Sequence, residues 1–228
     1  MKNIIKLLIV IAVANIILAS CKKDYIIGGK LESTTTNLTT YDYLKNNRFK
    51  MFDTLLMLVD KAGIKDVINQ QGITFYAPTD FSIDNYLEKR SKEAQVKNPY
   101  AAYTIDSLIK YDLGGFADSI KMYIIPKPIT YASLTSNGVV LNTAMSGVQA
   151  VVSYEQTTDP NLGYNPVVNY IPQVEYYSLV IGPLPSPVVS VKLSDSVAVR
   201  TLCQTTGLTT ATGQLNVLNN GHTLYFKP

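Results

Sequence analysis

Apolar residues fall along this chain in three regimes. Positions 7–18 are apolar throughout except for Asn15, with Lys2 and Lys6 before them and Lys22, Lys23 and Asp24 shortly after. From Tyr41 onward the spacing becomes helical. Leu44, Phe49, Phe52, Leu55, Leu56, Leu58 and Val59 recur every three or four residues, which predicts one amphipathic helix stopped by Gly63. Residues 64–68 add a short second turn of helix. Residues 73–77 read as a short apolar strand closed by Pro78, and Thr79 or Asp80 offers a cap for a helix starting near Phe81. Its apolar positions are Phe81, Ile83, Tyr86 and Leu87, and residues 88–93 form its charged, solvated end. Residues 104–113 and 116–124 predict two short helices split by Gly114 and Gly115. Beyond Tyr131 the period shortens. Runs at 139–141, 148–154, 167–171, 176–181 and 188–193 are rich in β-branched and aromatic residues and are separated by turn residues.

Helices first and strands after, rather than in alternation, predict an α+β domain. One such domain is expected over residues 41–228, with no internal repeat. Residues 22–40, with Gly28-Gly29 and the polar run from Ser33 to Asn37, carry no apolar periodicity and read as a tether.

The N-terminal regime has the layout of an export signal: a basic start, an apolar stretch and the small residues Ala19 and Ser20. Cys21 follows at once, and Leu18-Ala19-Ser20-Cys21 resembles the signal of bacterial lipoproteins. That resemblance implies cleavage between Ser20 and Cys21, which bounds a signal peptide at 1–20 and a lipidated tether at 21–40. It also implies a diacylglycerol on the Cys21 thiol and a palmitate-type acyl chain on its amine, with no other cofactor. An uncleaved anchor or a plain signal peptide is the competing reading, but a spanning helix needs about 20 apolar residues, and this stretch is shorter. The chain has two cysteines, so a lipidated Cys21 leaves Cys203 alone as a small buried hydrophobe. A Cys21–Cys203 disulfide is the alternative.

Two separated segments match one family. Gly72-Ile73-Thr74-Phe75-Tyr76-Ala77-Pro78-Thr79-Asp80-Phe81-Ser82 resembles the first signature of fasciclin domains, a buried strand, a proline and a capped helix. The stretch from Thr206 to Leu218 resembles the second, a turn and a strand. The helix from Phe49 to Gly63 resembles the family's opening helix, and Ile124-Ile125-Pro126 its Val-Val-Pro. The resemblance covers about residues 45–228 and implies a fasciclin-like fold. It departs at Met122-Tyr123, where many members have Tyr-His linked to integrin adhesion, and at Asn216, where the family has histidine. Residues 140–194 exceed the usual hairpin and read as an elaboration, and residues 219–226 as a tight turn and a final strand.

Composition narrows the function. The whole chain holds 20 basic and 17 acidic residues. Without the leader's two lysines the balance is close to neutral, and no basic run suggests nucleic acid. No zinc or calcium spacing is present, so no metal is expected. Asp80, Asp84 and Glu88 share a helical face that suits capping and solvent better than a cation. His222 is the single histidine, and neither Ser186 nor Ser190 has a histidine near it in sequence. No catalytic residues are therefore assigned and the chain is read as non-enzymatic, a hydrolase being the least favoured class. Tyrosine is abundant, at 16. Tyr154, Tyr164, Tyr170 and Tyr176 crowd the elaboration, either as a partner-binding surface or as sheet packing. The resemblances together imply an outer-membrane, cell-surface lipoprotein acting in adhesion or accessory protein binding. Lys22-Lys23-Asp24 after the cysteine resembles surface lipoproteins that accompany starch-utilisation-type transporters. This implies an alternative role in a TonB-dependent uptake complex capturing glycan or peptide.

Overall fold

A computed structural model describes residues 34–227, so Ser20, Cys21 and the apolar run before them lie outside the described residues. The single helix expected between Tyr41 and Gly63 is two, α1 (Thr40–Lys45) and α2 (Asp53–Ala62). Asn47 makes the break: its side chain accepts from the amides of Phe49 and Met51, and Lys50 takes a left-handed φ of 56°. Asparagine competes for backbone donors in this way and favours turns. Phe49, assigned to the apolar face by its spacing, is 65% exposed. Gly63 stops α2 as expected, in the left-handed conformation of a helix C-terminus, and α3 (Lys65–Ile68) follows.

β1 (Ile73–Ala77) is buried along its whole length and leads through Pro78 into α4 (Asp80–Gln95). The capping differs from the sequence expectation. The Thr79 hydroxyl donates to Asn220 Oδ1 at 3.1 Å rather than serving its own helix. The Asp80 carboxylate accepts from the amides of Thr54 and Leu55, both at 3.0 Å. It thus caps α2, whose first amides have no partner within that helix. The exit fixed by Pro78 delivers the charge to a neighbour's N-terminus. Phe81, expected on the packed face, is 51% exposed. α5 (Ile105–Tyr111) and α6 (Leu113–Ser119) break at Asp112, not at the glycines, which lie inside α6. A Cβ at Gly115 would fall 2.3 Å from Asp112 Oδ1, so this glycine admits the Asp112 side chain rather than ending a helix.

The strands are β2 (Ile124–Ile125), β3 (Val139–Asn142), β4 (Gln149–Gln156), β5 (Gln173–Val180), β6 (Ala198–Thr209) and β7 (Gly213–Leu218). They form one seven-stranded sheet in the order β2-β1-β7-β6-β5-β4-β3. Every pairing is antiparallel except β1 with β7. Helices in the N-terminal half and sheet in the C-terminal half make this the expected α+β fold. The runs at 167–171 and 188–193 are not strands. Each lies among prolines, at 166 and 172 and at 183, 185 and 187, which remove ladder donors. The first run is loop and the second contains a 3-10 turn, Ser190–Lys192. The expected final strand is a 3-10 turn as well, Leu224–Phe226, with left-handed φ at Tyr225 and Phe226. The polar run read as tether is docked from Thr34 on. Thr36 N donates to Thr209 O at 2.9 Å and Thr209 N to Thr34 O at 2.7 Å, and Thr40 is fully buried.

β1 is buried on both faces: Phe75 and Tyr76 project to opposite sides and are completely buried, as are Leu55, Leu58, Ile83, Tyr123 and Leu215. Cys203 is buried and free of any disulfide.

Candidate functional site

The four tyrosines singled out in the elaboration do not share one surface. Register pairs Ser153 with Tyr176 and Tyr154 with Glu175, so Tyr154 and Tyr176 project from opposite faces. Tyr154 is half-buried and stacks on Tyr131, centroids 4.8 Å apart and planes 25° off parallel. Burial raises its pKa most, followed by its neighbours Tyr131, Tyr170 and Glu175. On the other face the Arg200 guanidinium lies 3.6 Å from the Tyr176 ring centroid. Arg200 also donates to Glu155 Oε2 at 2.6 Å, and Ser153 to Glu155 Oε1 at 2.6 Å. Tyr170 is 66% exposed on the β4–β5 loop and Tyr164 half-buried there.

Chemistry concentrates instead at a residue the sequence did not flag. Glu175, the third residue of β5, is 2% exposed. Tyr76 Oη donates to its Oε1 at 2.8 Å and Asn216 Nδ2 to the same oxygen at 2.9 Å. Among the described residues no lysine, arginine or histidine forms an ion pair with it. Burial raises its pKa to about 7 against the lowering effect of the Tyr76 hydrogen bond. The carboxyl lines a cavity of about 150 Å³ together with Ile129, Thr130, Tyr131, Gly207, Thr209, Gln214 and Asn216. A bulge in β6 borders it: the register with β7 slips between Thr205 and Leu208, and Gly207 sits there at φ 72°. A Cβ on Gly207 would meet the Tyr131 hydroxyl at 2.4 Å, so only glycine lets Tyr131 close over this edge. Asn216 accepts from the Gly207 amide at 2.8 Å, which fixes which way its own amide donates.

A second cavity, of about 210 Å³, is lined by Arg200, Thr201, Asn219, His222, Thr223 and Phe226 among others. His222 is 4% exposed. Its Nε2 lies 2.9 Å from Tyr123 Oη and its Nδ1 3.4 Å from Thr201 Oγ1. Tyr123 Oη accepts from the Tyr225 amide at 2.8 Å. The network is satisfied when that hydroxyl donates to Nε2 and Nδ1 carries the proton. Burial lowers the imidazole pKa to about 3, so it is neutral and already engaged at both nitrogens. Such a histidine fills structure rather than serving as a base. Asp80, the acid whose carboxylate is committed to α2, leaves exposed Asp84 and Glu88 on that helical face. Glu88 pairs with Lys92 at 2.5 Å. No group of three or more metal-ligating side chains occurs among the described residues, and no helix among them is long and apolar enough to cross a membrane.

No family model and no curated protein matches the sequence. Among solved structures the chain is similar to a FAS1 domain pair from the insect cell adhesion molecule fasciclin I, at 9% identity and a TM-score of 0.43. The alignment covers 78% of this chain and 46% of that one, so the chain spans about half the length of the pair. The two segments that carry the fasciclin resemblance in the sequence lie side by side in the fold, β1 running parallel to β7 from Ile73 opposite Gly213 to Ala77 opposite Val217.

Proposed function

We propose that this protein is a non-enzymatic, lipid-anchored envelope protein that works by adhesion or accessory binding, with the loop between β4 and β5 as its main partner surface. The observation that carries this reading is the exposure of that loop: Val167 is 90% exposed, Tyr170 66%, Val168 55% and Ile171 43%. Contiguous apolar and aromatic side chains in water mark contact surfaces, and tyrosine offers large area with few torsions to fix. Tyr170→Ala should weaken partner capture by on the order of 2 kcal/mol, as loss of an interface anchor does. The test is a gentle-detergent pull-down of the full chain. Wild-type recovery of every partner by a folded Tyr170→Ala variant would move the surface elsewhere.

The anchor rests on Cys21. Its thiol forms the thioether, and two or more acyl chains hold a protein stably on a bilayer where one holds marginally. Cys21→Ser should therefore leave the precursor uncut or release the protein from membranes, read by fractionation and mass spectrometry. Normal processing and retention of that variant would exclude the lipoprotein reading.

A second reading is an accessory subunit of an outer-membrane starch-utilisation-type uptake complex, with a TonB-dependent transporter as partner. It is favoured by the stacked Tyr131–Tyr154 pair standing beside a polar cavity. An aromatic face next to hydrogen-bonding groups suits a glycan or peptide.

A further inference from the structure

Glu175 is a buried residue with one carboxyl oxygen left unpartnered at a cavity. A buried carboxyl is ordinarily matched by a cation or fully hydrogen-bonded. Here both donors, Tyr76 and Asn216, reach the same oxygen, and Oε2 takes no hydrogen bond from the described residues. The groups facing it are Tyr76 from β1, Tyr154 from β4, Tyr177 within β5 and Cys203 from β6, with Tyr131 on the rim. None of them is a cation. The cavity in front of it is polar, with Asn216, Gln214 and Thr209 held in fixed orientation. Asn216 is locked by Gly207, and Gln214 and Thr209 bond each other at 3.1 Å. Its volume of about 150 Å³ holds several water volumes of roughly 30 Å³ each, enough for a group of a few heavy atoms.

We propose that this cavity is a binding site for a primary ammonium group, with Glu175 Oε2 as its acceptor and Tyr131 as the wall against which it rests. An ammonium brings three donors and the missing positive charge, and aromatic rims attract cations. The group is that of a small free amine or of a lysine tip on a peptide. The site rests on the cavity and not on the β4–β5 loop, whose Tyr170 neighbours the Tyr154 ring stacked on Tyr131.

Ethylammonium chloride is the probe, titrated into the full chain in detergent at constant ionic strength and followed by amide resonances of Gly207, Gln214 and Asn216. A ligand of three heavy atoms binds no tighter than about 1 mM, so the titration runs to about 0.1 M. Saturable shifts are expected. The affinity should rise about tenfold from pH 6 to pH 8 as the carboxyl ionises around pH 7 while the amine stays charged. Glu175→Gln, which keeps the shape and removes the charge, should abolish them. A lysine-terminated peptide competing with the probe would identify the peptide source, and failure to compete the small-amine source. Absence of saturable shifts, unchanged shifts in Glu175→Gln, or equal shifts from ethylene glycol would each overturn the ammonium site. If Glu175→Gln does not fold, the wild-type pH dependence and the ethylene glycol comparison decide alone, and a pH-independent affinity counts against it.

Discussion

Replacing Phe75 with alanine should lower the free energy of unfolding by about 3–5 kcal/mol, the cost of removing a buried aromatic ring and leaving its cavity. Phe75 is fully buried at the centre of β1, opposite Ile124 of β2 and Leu215 of β7. Few rearrangements can fill the space, because both neighbouring strands are hydrogen-bonded in place and α2 and α4 lie in the same core. In a domain of this size the melting temperature should drop by at least about 6 °C. A denaturant melt giving a loss under about 1 kcal/mol would show that β1 is not the strand around which the core is organised.

The second large effect is electrostatic and would be hidden in the wild-type protein. Glu175 keeps its proton up to about pH 7 in the folded state but releases it near its ordinary value of 4.5 when unfolded. The native state then binds more protons, so stability falls as pH rises between those values. His222 behaves in the opposite sense. Buried and neutral, it protonates only near pH 3 when folded and near 6.5 when unfolded, so stability falls as pH drops through that range. Between pH 4.5 and 6.5 the two slopes cancel, and the unfolding free energy should be nearly flat. Glu88, whose carboxyl its Lys92 partner holds low, titrates below this window. Glu175→Gln removes one slope and leaves the other, so its stability should climb by about 2 kcal/mol across the window. Chemical denaturation at four or five pH values decides it. A wild-type profile that climbs as steeply as the variant's would mean that Glu175 is already ionised in the folded protein, and a flat profile in the variant that His222 is not held neutral.

How far the sequence could be read depended on whether local signals agreed with tertiary ones. β1 stood out because apolar residues, a β-branched start and a terminating proline coincide. β6, the longest strand, escaped because Gln204, Thr205, Thr206 and Gly207 look like a loop. They are strand only because β7 supplies a partner and Asn216 holds the bulge. The apolar runs at 167–171 and 188–193 failed in the other direction, since composition favoured strands while neighbouring prolines denied them a ladder. The capping residues Thr79 and Asp80 were found, but not whom they serve, because that depends on where α2 lies. Glu175 carried one faint signal, an acid set between Val174 and Tyr176 in a strand rich in apolar residues. A lone charge of that kind usually faces solvent, and only the register of β4, β5 and β6 turns it inward.

The parallel pairing of β1 with β7 has a consequence for how the chain comes into being. The two strands are separated by about 140 residues, the kind of long-range contact that slows folding. As the polypeptide emerges from the ribosome, its first buried strand has only the two-residue β2 to lean on until β7 has been made. The helical half cannot close over a finished core until the last strand arrives. A product cut short before Gly213 would lose more than its tail. β1 would be left with one flank unpaired and its buried side chains uncovered, an open edge of the sort that recruits other chains into aggregates. Closure of this core therefore waits on β7.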